Sequence, residues 1–369
     1  LLLHNMFLPT TSTEMNNLKW DKLDVILVTG DAYIDSPFIG VSIIGRILTN
    51  AGFRVGVIAQ PNWRKQEDFQ QLGSPRLFFG ISSGNVDSLV NNLTPNLKRR
   101  STDVYSPGGA LRRPDRAAIV YTNIVHSLFP DTPIILGGIE ASLRRFAHYD
   151  YWSNSVRQSI LADAPADLLV YGMGENPLRE FALRLEKGER IEEIKDVAGT
   201  AFKEDVRIWR NASNCSDCLV IPSFEEVSSD KRKYAEAFML HAREQDPFHG
   251  RKVVQHHPKT VIIQNRPARP LSTDELDQIY ELPYSRQAHS FYREQIPALE
   301  TVRFSITSHR GCFGSCSFCA LTHHQGRIVQ SRSIDSILRE AKRLTKMKGF
   351  RGIIQDVGGP TANMYGLSC

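Results

Sequence analysis

Cysteine is scarce in this 369-residue chain: there are six, and none before Cys215. A disulfide framework is therefore not what organises the fold, and a reducing, cytoplasmic setting is expected. The N-terminal half also has no thiolates with which to hold a metal cluster. No run of about 18 apolar residues occurs, so no membrane-spanning helix is expected. The opening Leu1-Leu2-Leu3-His4 has neither an initiator Met nor a basic signal-peptide start; it reads as a fragment end. Neither sign of charge dominates, with 45 Lys and Arg against 40 Asp and Glu and a net charge of +5. That balance permits nucleic-acid binding but does not indicate it. What remains is ordinary soluble-protein composition, 41% hydrophobic and 23% charged, with length for two or three domains.

Three of the six cysteines stand within eight residues, Cys312-Phe313-Gly314-Ser315-Cys316-Ser317-Phe318-Cys319. Three thiolates on one loop can hold three corners of a cubane 4Fe-4S cluster, leaving one iron free to bind and polarise a small molecule. Zinc sites more often read as two C-x-x-C pairs, or as a pair with histidines. Here the gaps are three and then two residues, and no fourth cysteine is near. C-x-x-x-C-x-x-C with Phe318 just before the last cysteine resembles the signature of the radical S-adenosylmethionine (SAM) superfamily. The resemblance implies that S-adenosylmethionine completes the open iron and that Phe318 lies near its adenine. It also implies that an electron from the reduced cluster starts radical chemistry.

Along the chain, residues 1–20 are polar and irregular and read as an extension. Short apolar strands are expected at 24–30, 54–59, 76–79, 133–138 and 167–172. Helices are expected from Val41 to Ala51, over 86–93 and 117–129, and from Pro177 to Lys187. Alternating, near-continuously apolar strands imply an α/β fold, a doubly wound parallel sheet over residues 21–194. Ligands in such sheets sit beyond the carboxyl ends of the strands. Three glycine turns fall there: Gly30-Asp31, Gly137-Gly138 and Gly172-Met173-Gly174-Glu175. Residues 195–300, broken by Pro267, Pro270 and Pro283, read as a connector or subdomain. It carries a charged helix near 229–243 and a capping box at Ser272–Glu275.

The last module, 301–369, reads as a strand over 301–307, the cysteine loop, and a helix capped by Ser333. That helix places Ile334, Ile337, Leu338, Ala341 and Leu344 on one face, and a strand over 350–357 follows. This is the first βαβ of a partial barrel. Gly358-Gly359 ends the second strand where related enzymes carry Gly-Gly-Glu, so the two glycines are expected to seat the methionyl group, and Pro360 replaces the acid. Such barrels have about six strand–helix units of roughly 30 residues. The domain is therefore expected to be truncated, and the chain inactive without a complementing C-terminal half.

Several further stretches resemble the YgiQ-type radical SAM proteins. They include Phe7-Leu8-Pro9-Thr10-Thr11, Ala51-Gly52-Phe53-Arg54-Val55, Ser106-Pro107-Gly108-Gly109, Arg113-Pro114-Asp115-Arg116 and Gly137 through Arg145. The cysteine loop continues the likeness to Gly326-Arg327. The resemblance implies a cobalamin-binding-like N-terminal domain and an electron donor such as flavodoxin or ferredoxin; it leaves the substrate unknown. Cobalamin domains use Asp-x-His-x-x-Gly, and the nearest match, Asp35-Ser36-Pro37-Phe38-Ile39-Gly40, has Pro at the ligand position. Cobalamin held through a histidine is therefore not expected.

Smaller features receive mostly structural readings. Cys215 and Cys218 read as two loop thiols, and Cys369 as having no role. His256-His257 and His323-His324 read as solvated, with one of the latter pair able to shield the cluster or meet substrate. The basic segments 98–100 and 112–116 read as a charged surface loop, with phosphate or RNA as the alternative. Glu175 reads as a helix N-terminal charge, and Glu140 as either that or an acid–base group. Two rivals to the enzyme reading are a non-catalytic zinc or iron–sulfur fragment and an RNA methylthiotransferase. The second would need three N-terminal cysteines, and residues 1–200 have none.

Overall fold

The computed structural model describes residues 7–211, 217–359 and 362–367. Nine strands form one sheet. They are β1 (Val25–Thr29), β2 (Val55–Ala59), β3 (Phe78–Ser82), β4 (Ile134–Gly137), β5 (Leu168–Val170), β6 (Thr200–Asp205), β7 (Cys218–Ile221), β8 (Lys252–His256) and β9 (Thr260–Gln264). Their spatial order is β7-β8-β9-β6-β5-β4-β3-β1-β2. The pairs β2–β1, β1–β3, β3–β4 and β4–β5 are all parallel. The 2-1-3-4-5 order is that of a doubly wound domain, with its switch point between β1 and β3.

Strand periodicity explains why these runs are apolar throughout. Ile26 and Val28 enter one core, with Phe79, Ile81 and Leu136. Val25 and Leu27 enter the other, with Val55, Val57 and Phe78. Successive side chains point to opposite faces, and both faces are covered.

Three boundaries differ from the sequence expectation. Residues 7–20 are not a loose extension: Leu8, Thr10 and Met15 are buried, and the Pro9 carbonyl accepts the Val57 amide on the edge strand at 2.9 Å. Nor does the sheet stop at residue 194. The supposed connector contributes β6 to β9, with β6 antiparallel to β5, and β9 antiparallel to both β6 and β8. Its Val253-Val254 and Val261-Ile262-Ile263 are buried, a hairpin signal hidden among prolines. Finally, the helix Glu175–Glu186 starts two residues before Pro177, which falls in its first turn.

In the C-terminal module the expected βαβ is present but shorter. Strand β10 (Ser305–Thr307) runs parallel to β13 (Asp356–Gly358). A two-residue ladder joins β11 (His309–Arg310) to β12 (Gln330–Ser331). Thr301 and Val302 belong to the helix Pro297–Val302 rather than to a strand. The Arg286 guanidinium donates to the Val302, Arg303 and Ser305 carbonyls just past that helix, which satisfies C-terminal acceptors that would otherwise lack donors. The following strand starts late because Gly349 and Gly352 turn the chain at positive φ.

The helix Ile334–Leu344 is capped by the Ser333 side chain, as read. Its buried positions are nevertheless Ser336, Glu340 and Leu344, while Ile334 and Leu338 are exposed. Glu340 pairs with both Arg286 and Arg332, so a charge cluster shares the inward face with Leu344.

Candidate functional site

The cysteine loop leaves β11 through Gly311, whose positive φ of 83° suits only glycine without strain. A Cβ there would also lie 2.1 Å from the Ile328 carbonyl oxygen. The loop is tethered at its base. The Gly311 amide donates to the Gln325 side chain at 3.2 Å, and the Cys312 amide donates to the Gly326 carbonyl at 3.2 Å. Cys312, Cys316 and Cys319 are all free; the first is buried and the second exposed. Two sulfurs flank Gly314: a Cβ on that residue would sit 3.2 Å from Cys312 Sγ and 3.9 Å from Cys316 Sγ. The Gly314 amide also points at Cys312 Sγ, at 3.4 Å.

Among the described residues no three His, Cys, Asp or Glu side chains are gathered closely enough to enclose a metal ion. The donor chemistry still fits a thiolate-held cluster: three free thiols share one short loop, and two of them stand around a side-chain-free glycine. Phe318 is 89% exposed. Gly358 ends β13 beside the Asp356 carboxylate, and Gly359 packs on the His309 ring, whose Nε2 lies 2.3 Å from where a Cβ would be. Pro360, Cys215 and Cys369 lie outside the described residues. Cys218 is disulfide-bonded, which corrects its reading as a loop thiol.

Of the three glycine turns at the strand ends, the first is filled by the chain itself. Arg113, fully buried, donates to Asp31 Oδ1 at 2.5 Å, to the Ser83 carbonyl at 2.8 Å and to Asp103 at 3.4 Å. A Cβ on Gly30 would meet the Ser83 carbonyl at 2.2 Å. The loops after β1 and β3 thus close on each other at the switch point. At the second turn, Gly138 packs against Ser82 and Gly84.

The third turn opens. Gly172, Glu175 and Asn176 line a cavity of about 70 Å³, partly open to solvent. Its opposite wall is the segment just after the cysteine loop, including His323, His324, Gly326 and Arg327. Gly326 is the residue whose carbonyl tethers Cys312. The cavity therefore abuts the base of the cysteine loop.

The two elements are bolted together by Glu175 and His324, read from the sequence as a helix N-terminal charge and a solvated loop residue, with partners that sequence reading did not single out. Arg310 is buried and pairs with Glu175; its Nε donates to the Tyr280 hydroxyl at 2.8 Å. His324 Nδ1 lies 3.0 Å from Ser142 Oγ, which accepts the Gly172 amide at 3.1 Å. Burial pushes His324 down to about 4, so it is neutral here. Arg310 could have been suspected from its place just before Gly311-Cys312, but no pattern names its partner 135 residues away.

Other expectations change accordingly. His323 and His324 form part of the cavity wall and are half-buried rather than freely solvated. His257 is buried and stacked on Phe224, and desolvation lowers it to about 4. Glu140 is structural: its carboxylate accepts the Ser88 amide at 2.8 Å and the Ala118 amide at 3.1 Å, at the starts of two helices. Within the basic segments, Arg99 pairs with Asp115, Arg113 with Asp31 and Arg116 with Asp150.

A family model described as Radical SAM N-terminal matches residues 7–305. A UPF0313 protein of Methanosarcina acetivorans is 56% identical over 384 residues, spanning 98% of this chain and 52% of that protein. One from Methanocella arvoryzae is 58% identical over 360 residues, covering 97% of this chain and 59% of its own length. A third, from Clostridium botulinum, is 54% identical over 366 residues, with 98% and 56% covered. The chain thus spans a little over half the length of these relatives. Among solved structures, the radical S-adenosylmethionine methyltransferase TsrM from Kitasatospora setae, with tryptophan substrate and a SAM analogue bound, aligns with a TM-score of 0.44. That alignment has 17% identity and covers 91% of this chain and 47% of the other.

Proposed function

The chain belongs to the Radical SAM N-terminal family, and from that premise we propose that it is the cluster-bearing part of a radical SAM enzyme of YgiQ type. The observation that carries this is the set of three free thiols, Cys312, Cys316 and Cys319, on one loop that follows a strand of a parallel βαβ unit. These cysteines would ligate three irons of a 4Fe-4S cluster. The chemistry such a cluster supplies with bound S-adenosylmethionine is one-electron cleavage of the sulfonium, which starts radical chemistry on a substrate.

The chain's own residues prepare for this. Gly311 and the Gln325 and Gly326 acceptors hold the base of the loop, while the exposed Cys316 and Phe318 leave its tip accessible. Gly358 and Gly359 would offer backbone to the methionyl group at the end of β13, with Phe318 toward the adenine. An external one-electron donor of flavodoxin or ferredoxin type, in a cytoplasmic setting, completes the reading. Catalysis by the full-length relatives would draw on residues beyond those in this chain.

The reading leaves out histidine-ligated cobalamin. Pro37 has no ligand atom, and Asp35 is committed to Arg46 at 2.6 Å and to the Ser285 amide at 2.8 Å. Arg113 occupies the crevice at the switch point. The described residues include no helix long and apolar enough to cross a membrane.

Anaerobic reconstitution tests the proposal. A brown protein with stoichiometric iron and sulfide, whose reduced low-temperature EPR signal shifts on adding S-adenosylmethionine, supports it. A colourless protein retaining one zinc would favour the non-catalytic binding module instead.

A further inference from the structure

Arg145 is 2% exposed and has no carboxylate within ion-pair distance among the described residues. Its hydrogen-bond partners are all neutral. Nε donates to Gln264 Oε1 at 2.6 Å, NH1 to the Ser142 carbonyl, and NH2 to His241 Nε2 at 2.8 Å and Gln245 Oε1 at 3.2 Å. The guanidinium also stacks over the Tyr171 ring at 4.5 Å. Buried charges are ordinarily paired, because burial removes the water that stabilises them. The other buried arginines nearby obey that rule: Arg310 has Glu175, and Arg144 has Asp87.

Tyr171 and Gln245 both line the cavity beside the cysteine loop, so Arg145 stands directly behind its wall. Two further cations, Arg269 and Arg327, line the same cavity. Both are exposed and make no ion pair among the described residues. Glu175 is the one carboxylate among the lining residues, and Arg310 already neutralises it. His323 and His324 are held neutral by burial, with Arg145 adding to the effect. The cavity therefore carries uncompensated positive charge and, at about 70 Å³ and partly open to solvent, has room for a small oxyanion.

We propose that this cavity binds a small molecule through an oxyanion, a phosphate or a carboxylate, whose charge answers Arg145, Arg269 and Arg327. The Gly172–Asn176 turn at the start of a twelve-residue helix adds a favourable field for the same charge. The site lies one backbone hydrogen bond from Cys312, through the Gly326 carbonyl, and its existence does not depend on the cluster being bound.

Isothermal titration of the full chain, with inorganic phosphate and with acetate as separate probes at constant ionic strength, tests this. One-site saturable binding of either probe is expected, and which probe binds more tightly identifies the oxyanion. The Arg269→Gln/Arg327→Gln double variant should weaken binding by about tenfold, and raised salt should weaken it further. Arg145→Met should weaken it at least as much; if that variant does not fold, the rim double variant decides. Absence of saturable binding up to roughly 10 mM of both probes would overturn the proposal. So would unchanged affinity in the rim variant. Neither result bears on whether the cysteines hold a cluster, which the iron, sulfide and EPR measurements decide separately.

Discussion

Arg310 and Glu175 form a buried ion pair across 135 residues of sequence, and it joins the two parts of the molecule. Arg310 precedes the cysteine loop by one residue, whereas Glu175 opens the helix that ends the doubly wound portion. Tyr280 completes the contact from a third element. The position of the cysteine loop over the sheet is thus set by a charge pair sealed from water.

Breaking this pair on one side should cost more than removing it. Glu175→Ala leaves a buried guanidinium uncompensated and is expected to lower unfolding stability by about 3–5 kcal/mol. Arg310→Met combined with Glu175→Ala should recover much of that loss. Urea denaturation of the two single variants and the double variant checks this; additive losses would show that the pair does not couple the elements.

Replacing any one of Cys312, Cys316 and Cys319 with Ser should abolish stable iron and sulfide incorporation after anaerobic reconstitution. Cys218→Ser should leave incorporation unchanged, since Cys218 lies in β7 and is bonded as a disulfide. Iron and sulfide assays and the visible absorption of each variant provide the measurement. Retention of a full cluster in the Cys316→Ser protein would count against the ligand assignment.

Gly359→Ala should be costly for a steric reason that can be relieved. Its Cβ would overlap the His309 ring, at 2.3 Å from Nε2. Overpacking of this kind typically costs about 1–3 kcal/mol. Trimming the ring with His309→Ala should restore most of the thermal stability lost by Gly359→Ala. If the double variant melts no higher than Gly359→Ala alone, the clash is not the cause.

Stability should fall as the solution is acidified below neutrality. Burial is the leading cause that pushes His148, His257 and His324 each down to about 4 in the folded chain, against an unfolded value near 6.5. Above about pH 6.5 these rings are neutral in both states. Between 6.5 and 4 the unfolded chain binds protons that the folded chain refuses, so stability is lost as pH drops, by up to about 2 kcal/mol per ring at pH 5. Asp31, raised to about 6 chiefly by burial, acts oppositely: its folded form takes up a proton first and regains about 1 kcal/mol over the same descent. The histidines outweigh it. A urea midpoint that rises from pH 7.5 to pH 5 would contradict this balance.

The parts legible in the sequence were those specified locally. Continuous apolar runs marked β1, β2, β4 and β5 because a parallel sheet buries both faces of each strand. Side-chain capping at Ser272 and Ser333 marked two helix starts, since the hydroxyl that satisfies the first turn's amides is adjacent in sequence. The cysteine spacing named three candidate ligands because all three thiols belong to one loop.

Whatever depends on partners far apart in the chain was decided by tertiary structure. The hairpin of β8 and β9 joins the main sheet because β6 offers it an edge, which no local pattern shows. The apolar stripe of Ile334–Leu344 is buried only in part: Leu344 is inside, Ile334 and Leu338 are exposed, and Glu340 is buried between Arg286 and Arg332, partners that no local pattern shows. Three glycine turns looked equivalent in sequence; the fold filled one with Arg113, packed the second against the loop after β3, and set the third against His323 and His324. The sequence determined which groups were available. Packing and charge pairing determined which of them face each other, because burial makes an unpaired charge costly and so fixes where each one must go.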